Sequence, residues 1–592
     1  MRIPIKQYTG LLAKYLRPQR RRVFLLAFLL FADISLQLIN PQIMRRFIDT
    51  ALLGEVTSSL SLMALLFIGV ALLQQISSVS ATYAGENMSW TATNWLRYDL
   101  ARHCLTLDMS FHNEHTPGEM IERIDGDVNA LSTFFSQFVL QVLGNGILLV
   151  GVLALLFRED VRLGISLTLF VVVTLAAING MRNIAVPYWK LAREASADFY
   201  SFLEERLAGT EEIRASGAKA YVMRRFFELL RIFWRTTVTA RLTAFLMVNV
   251  SWLLFTVGNA VAFVVSASLY RSGVLTLGSV YLVFHYTNML SRPIERISQE
   301  IETLQQAGAS VARIQELLQV KSKIEVPTQS NPARPAVAGP LAVSFDEVSF
   351  TYEDGGNNGK TAELILHNLC FHLEAGRVLG LLGRTGSGKT TMTRLLFRLY
   401  EPTNGRVYVG GQDVTRLPLA DLRRQVGMVT QNVQLFHASV RDNLTFFDRA
   451  VADGDILGVI EELGLQRWYD SLPQGLDTVL AAGGGDLSAG EAQLLAFTRI
   501  FLKDPGLMIL DEASSRLDPV TEQLIERAID RLLHNRTAII IAHRLATVHR
   551  ADEILILDNG RILEHGHRAQ LAGDPGSRFY QLLQTGLDEV LA

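Results

Sequence analysis

The sequence predicts two fold classes in one chain, an all-α transmembrane domain over residues 1–320 and an α/β domain over residues 341–592. Three observations predict this division. The composition is 49% hydrophobic and 19% charged, with a mean hydropathy of +0.22, which is too apolar for an ordinary soluble protein of 592 residues. The long apolar segments all lie before residue 295, whereas short apolar runs alternate with helical patterns after residue 340. A polar linker with several prolines, residues 321–340, separates the two parts.

Six apolar segments are long enough to cross about 30 Å of hydrocarbon. They lie at about 22–48, 58–85, 132–157, 161–180, 244–270 and 275–293. Short connections join the first and second, third and fourth, and fifth and sixth segments. Long polar stretches rich in helix formers, at about 86–131 and 181–243, separate the others. We expect these stretches to be helices that continue beyond the bilayer into one aqueous compartment.

The distribution of cations predicts which compartment this is. Arg17, Arg20, Arg21 and Arg22 precede the first segment, and the stretch 181–243 is rich in Arg and Lys, whereas the short connections hold few cations. Because cationic loops stay on the cytoplasmic side, both termini and both long stretches are predicted to be cytoplasmic. The sequence thus predicts a multi-pass protein of the lipid bilayer, in the plasma or bacterial inner membrane. A net charge of −2 without a long basic run gives no indication of a nucleic acid partner.

Polar side chains inside the apolar segments are expensive in lipid and therefore face a cavity or another helix. They have two interpretations, a substrate path or hydrogen bonding between helices. Asp33 favours the first interpretation most, because an ionised carboxylate at that depth needs water or a partner. The set is Asp33, Asn40, Gln74, Gln75, Asn145, Asn249, Asn259, His285, Tyr286 and Asn288.

The motif GRTGSGKTT, residues 383–391, follows the strand-like run 378–382 and has the spacing of a P-loop, which holds a nucleoside triphosphate. Its glycines allow a tight loop around the phosphates, Lys389 supplies a cation, and Thr390 supplies a hydroxyl for Mg²⁺. A helix is predicted to follow, with its positive end toward the phosphates. The candidate binding residues are Gly383, Arg384, Thr385, Gly386, Ser387, Gly388, Lys389, Thr390 and Thr391.

Acidic and histidine residues follow two further buried strands. The apolar run 507–510 ends in Asp511 and Glu512, and the run 538–542 ends at His543. Asp511 is predicted to hold Mg²⁺ and Glu512 to polarise the attacking water, because phosphoryl transfer depends mainly on positioning and charge stabilisation. His543 is predicted to contact the γ-phosphate.

These motifs, together with LSAGE at residues 487–491, resemble those of ABC exporter half-transporters, in which six transmembrane helices are fused to one ATP-binding cassette. The resemblance covers nearly the whole chain. LSAGE resembles the signature that binds the ATP held by the facing subunit, through Ser488, Ala489, Gly490 and Glu491. The resemblance implies that Tyr352 stacks on adenine, that Gln431 contacts Mg²⁺, and that Asp518 belongs to the D-loop. It also implies two coupling helices near 112–118 and 210–218, with ATP and Mg²⁺ as ligands and a second half-transporter as partner.

Departures from the family pattern concentrate around the signature. Ala489 and Glu491 replace the usual Gly and Gln, whereas Lys389, Gln431, Asp511, Glu512 and His543 keep the family's residue types. We therefore expect an ATP-driven exporter that works as an asymmetric heterodimer. A homodimer, an importer and an ATP-gated regulator with the same fold remain alternatives. The transported molecule is left open between a small molecule, a lipid and a peptide.

Overall fold

The computed structural model describes residues 10, 13–53, 57–137, 142–324, 339–352, 364–430, 433–485, 487–511, 519–542 and 548–585. The chain forms two compact units. Residues 1–105 and 117–320 make up the membrane unit, whereas residues 106–116 and 321–592 make up the cassette unit. The predicted boundaries at residues 320 and 341 stay predictions.

Long helices dominate the membrane unit. They are Arg20–Leu52, Thr57–Thr106, Asp127–Gln137, Gly144–Glu159, Val161–Ala208, Lys219–Arg271, Leu277–Met289 and Ser291–Gln319. Shorter helical elements lie at Pro117–Ile121, Glu122–Gly126 and Thr210–Ala215. Thr210–Ala215 covers part of the second predicted coupling helix. It lies between the helices Val161–Ala208 and Lys219–Arg271, which pack along each other.

Among the described residues, four helices are long and apolar enough to cross a membrane, and they contain the first, second, fourth and fifth predicted segments. Gly144–Glu159 covers the second half of the third predicted segment, and Leu277–Met289 covers the middle of the sixth. The sixth ends where it does because Pro293 has no N–H to donate to the carbonyl of Met289, and its ring crowds that carbonyl. A new helix, Ser291–Gln319, then begins.

The first transmembrane helix and the helix Leu277–Met289 are joined at one end by Asp49. Its carboxylate accepts hydrogen bonds from the backbone N–H of Gly278 at 2.9 Å and from the Thr276 hydroxyl at 2.8 Å. Further along, the Tyr286 hydroxyl donates to the carbonyl oxygen of Leu38 at 2.9 Å. The two helices therefore run side by side over several turns.

Among the described residues of the cassette unit, ten strands form two sheets. They are β1 Val343–Phe350, β2 Leu366–Leu373, β3 Val378–Leu382, β4 Asn404–Val409, β5 Gln412–Asp413, β6 Val426–Val429, β7 Leu507–Asp511, β8 Thr537–Ile541, β9 Glu553–Asp558 and β10 Arg561–His567. An antiparallel sheet has the order β2-β1-β4-β5, and a second sheet has the order β10-β9-β3-β8-β7-β6. In the second sheet β9, β3, β8, β7 and β6 are parallel, so their carboxyl ends meet at one edge.

The cassette unit also contains helices between and after these strands. They are Lys389–Leu396, Leu419–Gln425, Val440–Thr445, Asp453–Glu462, Gln466–Asp470, Ala489–Lys503, Pro519–Leu533, Arg568–Gly573 and Arg578–Thr585. Strands β3, β7 and β8 are buried almost throughout, which explains their continuous apolar sequences.

Residues 106–116, here called the coupling segment, belong to the cassette unit although they lie far from it in the sequence. They contain the helix Met109–Glu114, which begins with Asp108 as its N-cap. The Asp108 carboxylate accepts from the N–H groups of Ser110 at 2.9 Å, Phe111 at 3.3 Å and Lys323 at 2.6 Å. Burial works against ionisation, but these donors outweigh it and lower the pKa of Asp108, so the carboxylate stays charged at neutral pH.

Candidate functional site

The P-loop follows β3 at the carboxyl edge of the parallel sheet, and its glycines adopt backbone angles that other residues rarely reach. Gly383, Gly386 and Gly388 have φ values of +148°, +85° and +102°. A Cβ atom at Gly383 would lie 2.3 Å from the carbonyl oxygen of Leu557 and 2.6 Å from Ser387 Oγ. Only glycine at 383 therefore lets the chain turn this tightly.

Lys389 and Ser387 place buried polar side chains inside this loop. Lys389 is 6% exposed, and its Nζ donates to the carbonyl oxygens of Gly383 at 2.6 Å and Arg384 at 2.9 Å. Burial lowers the pKa of Lys389, and the charge of Asp511 opposes that shift. Within the described residues, the buried Ser387 hydroxyl oxygen has no hydrogen-bond partner. A buried cation and a buried unpartnered hydroxyl fit a phosphate, whose oxygens accept hydrogen bonds from both.

The other P-loop residues divide between the surface and the interior. Arg384, Thr385 and Thr390 are exposed, so the Thr390 hydroxyl is open to a metal ion bound with the phosphates. Thr391 is buried, and its Oγ1 lies 3.0 Å from the hydroxyl of Tyr352. The helix Lys389–Leu396 begins directly after Gly388, as predicted from the sequence.

Strand register brings Asp511 into line with the strand that leads to the P-loop. Asp511 pairs with Ile541 of β8, and Ile541 pairs with Leu381 of β3 on its other side. Adjacent strands lie about 4.8 Å apart, so the backbone of Asp511 lies two strand spacings, about 10 Å, from that of Leu381 near the end of β3. The role of Asp511 as a ligand of Mg²⁺ stays a prediction.

Four predicted site residues, Gln431, Glu512, Asp518 and His543, lie outside the described residues. Their roles stay predictions. The strands that precede three of them are described, and all three strands run parallel with their carboxyl ends at the P-loop edge. They are β6, which ends two residues before Gln431, β7, which ends directly before Glu512, and β8, which ends two residues before His543.

Tyr352, the predicted adenine-stacking residue, lies beside the P-loop helix in a cluster of aromatic rings. Arg394 Nη1 donates to its hydroxyl at 3.2 Å. Its ring meets the ring of Tyr400 edge to face, with centroids 5.1 Å apart and an interplanar angle of 89°. Tyr400 in turn accepts a hydrogen bond of 2.6 Å from the Asn113 side chain of the coupling segment. Side-chain contacts thus run without a break from the P-loop helix to the coupling segment.

The predicted signature begins the helix Ala489–Lys503, here called the signature helix, and it closes a capping box. Ser488 is the N-cap, and its Oγ accepts from the N–H of Glu491 at 3.2 Å. The Glu491 carboxylate accepts from the N–H and from the hydroxyl of Ser488, both at 2.8 Å. Ser488 and Ala489 are exposed, whereas Gly490 is buried. Glu491 therefore occupies both donors of Ser488, one of the residues that the resemblance implies bind the ATP of the facing subunit. The Ser-x-x-Glu spacing indicates this capping box by itself.

Arg499, in the middle of the signature helix, is a structural residue that the sequence analysis missed. It is 9% exposed and donates to the carbonyl oxygen of Asn443 at 2.7 Å and to that of Gln434 at 3.1 Å. Burial lowers its pKa to about 10, so it stays charged at neutral pH. Arg499 thereby fixes the signature helix to the segment that follows Gln431. The signal for it was an arginine inside the apolar helical run LLAFTRIFLK, because arginine is rarely buried without partners.

Two family models match the chain. Residues 23–294 match the ABC transporter transmembrane region, and residues 366–515 match the ABC transporter model, which together cover well over half of the 592 residues. The chain belongs to the ABC transporter family. The predicted resemblance to ABC exporter half-transporters is confirmed. The predicted fold class, a helical transmembrane domain followed by an α/β nucleotide-binding domain, is also confirmed.

Similar ABC transporters cover nearly the full length of the chain. The ATP-binding protein YfiC of Bacillus subtilis is 29% identical over 571 residues, which are 95% of this chain and 91% of YfiC. The ATP-dependent lipid A-core flippase of Pseudomonas fluorescens strain Pf-5 is 30% identical over 530 residues, 89% of this chain and 85% of the flippase. The structure of a bacterial Atm1-family ABC exporter with ATP bound superposes with a TM-score of 0.76 at 25% identity, covering 96% of this chain and 98% of that one.

This ABC transporter is accordingly an ATP-driven exporter that spans a membrane. ATP binding and hydrolysis by its cassette are coupled to transport. The importer alternative finds no support in these relatives. ABC exporters work as dimers, so the chain acts with a second half-transporter. The buried Lys389, the unpartnered Ser387 hydroxyl and the glycine turn at 383 fit the phosphates of ATP, the nucleotide that the cassette binds.

Proposed function

We propose that this chain is one half of an asymmetric, heterodimeric exporter. In this proposal it contributes the P-loop and the catalytic residues Glu512 and His543 to one ATP site and a weakened signature to the other. The capping box at the signature carries the proposal, because Glu491 places a carboxylate on the amide and hydroxyl of Ser488. The resemblance to the family signature implies that Ser488 is one of the residues that hold the ATP of the facing subunit.

Charge makes this arrangement unfavourable for ATP on the facing subunit. Two like charges about 4 Å apart repel by about 1 kcal/mol in bulk water and by about 4 kcal/mol at an effective dielectric constant near 20. A γ-phosphate that approaches Ser488 therefore meets repulsion from Glu491, and it must also displace two charge-assisted hydrogen bonds. The family's Gln at this position supplies the same capping geometry without the charge.

The P-loop and the acidic residues at the end of β7 support a competent ATP site on this chain itself. We infer that Lys389 and Ser387 contact the phosphates, that Tyr352 stacks on adenine, and that Glu512 orients the attacking water. His543 contacts the γ-phosphate and Asp518 contributes to the D-loop. Mg²⁺, when bound, neutralises phosphate charge, and the residues that would hold it are Thr390, Gln431 and Asp511.

The arginines before the first transmembrane helix and the cationic stretch 181–243 support a cytoplasmic location of both termini and of the cassette. The membrane is then the plasma membrane, or the inner membrane of a bacterium. We infer an amphipathic substrate, which the similarity to a lipid A-core flippase supports.

The test is to express the chain alone, reconstitute it in nanodiscs, and measure its mass and its ATPase activity. We expect little ATPase activity, and we expect Glu491→Gln to raise turnover at least about fivefold, the factor that corresponds to removing about 1 kcal/mol. Glu461→Gln, which changes an exposed glutamate on another helix of the cassette, is the matched control. A stable homodimer that hydrolyses ATP at two equivalent sites, with no response to Glu491→Gln, would establish the homodimeric alternative instead.

A further inference from the structure

The membrane unit contains a cavity of about 640 Å³, a size that suits a ligand as large as a drug or a short peptide. Four of the helices described above line it, those beginning at Arg20, Thr57, Gly144 and Leu277, together with the start of Ser291–Gln319. Both apolar and polar side chains face it. The polar ones decide which molecules the cavity favours.

Two opposite charges, Asp33 and Arg292, line this cavity. In the described part of the chain, Asp33 accepts one side-chain hydrogen bond, from Gln74 at 3.3 Å. Within the described residues, neither Asp33 nor Arg292 forms an ion pair, with the other or with any third residue. Asp33 is half-buried and Arg292 is exposed, and a charge within a transmembrane unit is costly without a counter-charge, so each of them favours a ligand group of opposite sign.

The helix lengths place the two charges at a similar depth. Asp49 and Gly278 are hydrogen-bonded to each other, which gives a common reference level. Asp33 lies sixteen residues before Asp49, about 24 Å along the first helix at 1.5 Å per residue. Arg292 lies fourteen residues after Gly278, about 21 Å in the same direction. The cavity therefore presents a negative and a positive group at one level.

Neutral groups around these charges define the rest of the ligand. Five carboxamides line the cavity, and each can donate and accept hydrogen bonds: Gln37, Asn40, Gln74, Asn145 and Asn288. The Asn40 side-chain oxygen is buried and has no partner in the part of the chain that the structure describes. Apolar side chains complete the wall, among them Leu30, Ile34, Phe67 and Leu148.

We propose that this cavity binds an amphipathic zwitterion, with its cationic group at Asp33, its anionic group at Arg292 and its apolar part against the leucine, isoleucine and phenylalanine side chains. A purely cationic or purely anionic molecule would satisfy one of the two charges and be repelled by the other. The inference rests on the proposed transport of an amphipathic substrate and specifies its charge. The same chemistry occurs in a short apolar peptide with free termini and in a zwitterionic lipid headgroup.

Four forms of one tripeptide test the charge requirement with a constant apolar body. The probes are Leu-Leu-Phe with both ends free, with the amino end acetylated, with the carboxyl end amidated, and with both ends blocked. Their binding is measured by saturation-transfer NMR on the purified full-length protein in nanodiscs, against empty nanodiscs. We expect the free peptide to bind at least fivefold more tightly than any blocked form. A second arm compares lysophosphatidylethanolamine with lysophosphatidylglycerol, and a preference for the zwitterion in that arm alone assigns the chemistry to a lipid.

Variants assign the recognition to the two residues. Asp33→Asn should remove the preference for a free amino end, and Arg292→Gln should remove the preference for a free carboxylate. Asn249→Ala changes a polar side chain that does not line the cavity and should leave all affinities unchanged. The probe series on the unmodified protein remains decisive if a variant fails to fold.

Equal binding of all four peptides and both lipids, or no binding in either arm, would overturn the proposal. An equal loss of affinity for all four peptides in both variants would also overturn it. The binding measurement needs no ATP hydrolysis, so its outcome is independent of the ATPase test of heterodimer function. Failure of one proposal is thus distinguishable from failure of the other.

Discussion

Removal of one hydroxyl group, in Tyr400→Phe, should loosen the coupling segment from the rest of the cassette unit. The Tyr400 ring is buried, and its hydroxyl accepts the 2.6 Å hydrogen bond from Asn113. Burial raises the pKa of Tyr400 above its ordinary value of 10.0, so the hydroxyl is neutral at physiological pH. The substitution keeps the ring and its contact with Tyr352, and it deletes the hydrogen bond alone.

The expected loss is modest because Asn113 is exposed and water can replace the hydroxyl. A hydrogen bond of this kind contributes a net of about 1 kcal/mol, which corresponds to about a fivefold change in an opening equilibrium. The contacts of Asp108 with the Ser110, Phe111 and Lys323 amides remain and keep the segment attached. Tyr400→Phe should therefore weaken the attachment of the segment without unfolding it.

Hydrogen exchange followed by mass spectrometry measures this loss directly. Amides of the helix Met109–Glu114 should exchange about fivefold faster in Tyr400→Phe, and less substrate should be transported per ATP hydrolysed. Tyr408→Phe, the same chemical change on strand β4, is the matched control and should leave both measurements unchanged. Asn113→Ala should reproduce the effect of Tyr400→Phe, and the double variant should add little to either. Unchanged exchange in Tyr400→Phe, or fully additive effects in the double variant, would refute the reasoning.

Three further predictions concern the cassette. Gly383→Ala should abolish ATP binding, because its Cβ would lie 2.3 Å from a carbonyl oxygen, and a fluorescent ATP analogue measures this loss. Gly454→Ala is the control and should leave the affinity for ATP unchanged, because a Cβ added there meets nothing within 4 Å. Glu512→Gln should bind ATP but hydrolyse it about 10²-fold more slowly, and near-normal turnover at the competent site would remove Glu512 from the proposed role. Arg499→Met should lower stability by about 2 kcal/mol, because the buried carbonyl oxygen of Asn443 loses its donor and the partly buried carbonyl oxygen of Gln434 loses a hydrogen bond. For a domain of this size that is a decrease in melting temperature of about 4–8 °C, and an unchanged melting temperature would contradict it.

Local sequence patterns were sufficient to predict the P-loop and the strand before it. Three glycines, Lys389 and a buried apolar run all lie within about fifteen residues, so spacing alone indicates the turn and the helix that follows. The membrane segments were predicted for a similar reason, since the length and apolarity of one helix depend on no distant residue. The break before Ser291 follows from Pro293, which is also a local signal.

Contacts between distant parts of the chain could not be predicted in this way. Asn113 and Tyr400 are separated by 287 residues, and neither belongs to a motif that indicates the other. The alignment of Asp33 with Arg292 depends on the hydrogen bond between Asp49 and Gly278, which places two helices side by side. Glu491 is an intermediate case. It was recognised as a departure from the family pattern, whereas its bonds to Ser488 required the geometry of the helix start.

The inclusion of residues 106–116 in the cassette unit has a consequence for exchanging parts between transporters. A chimera that joins one exporter's residues before about 320 to another's cassette would place a foreign coupling segment against Tyr400 and the amide of Lys323. The crossover would then separate groups that are hydrogen-bonded in the parent protein, even though it lies in a linker. A cassette exchanged together with its own residues 106–116 would keep those partners, so the natural unit of exchange is discontinuous in the sequence.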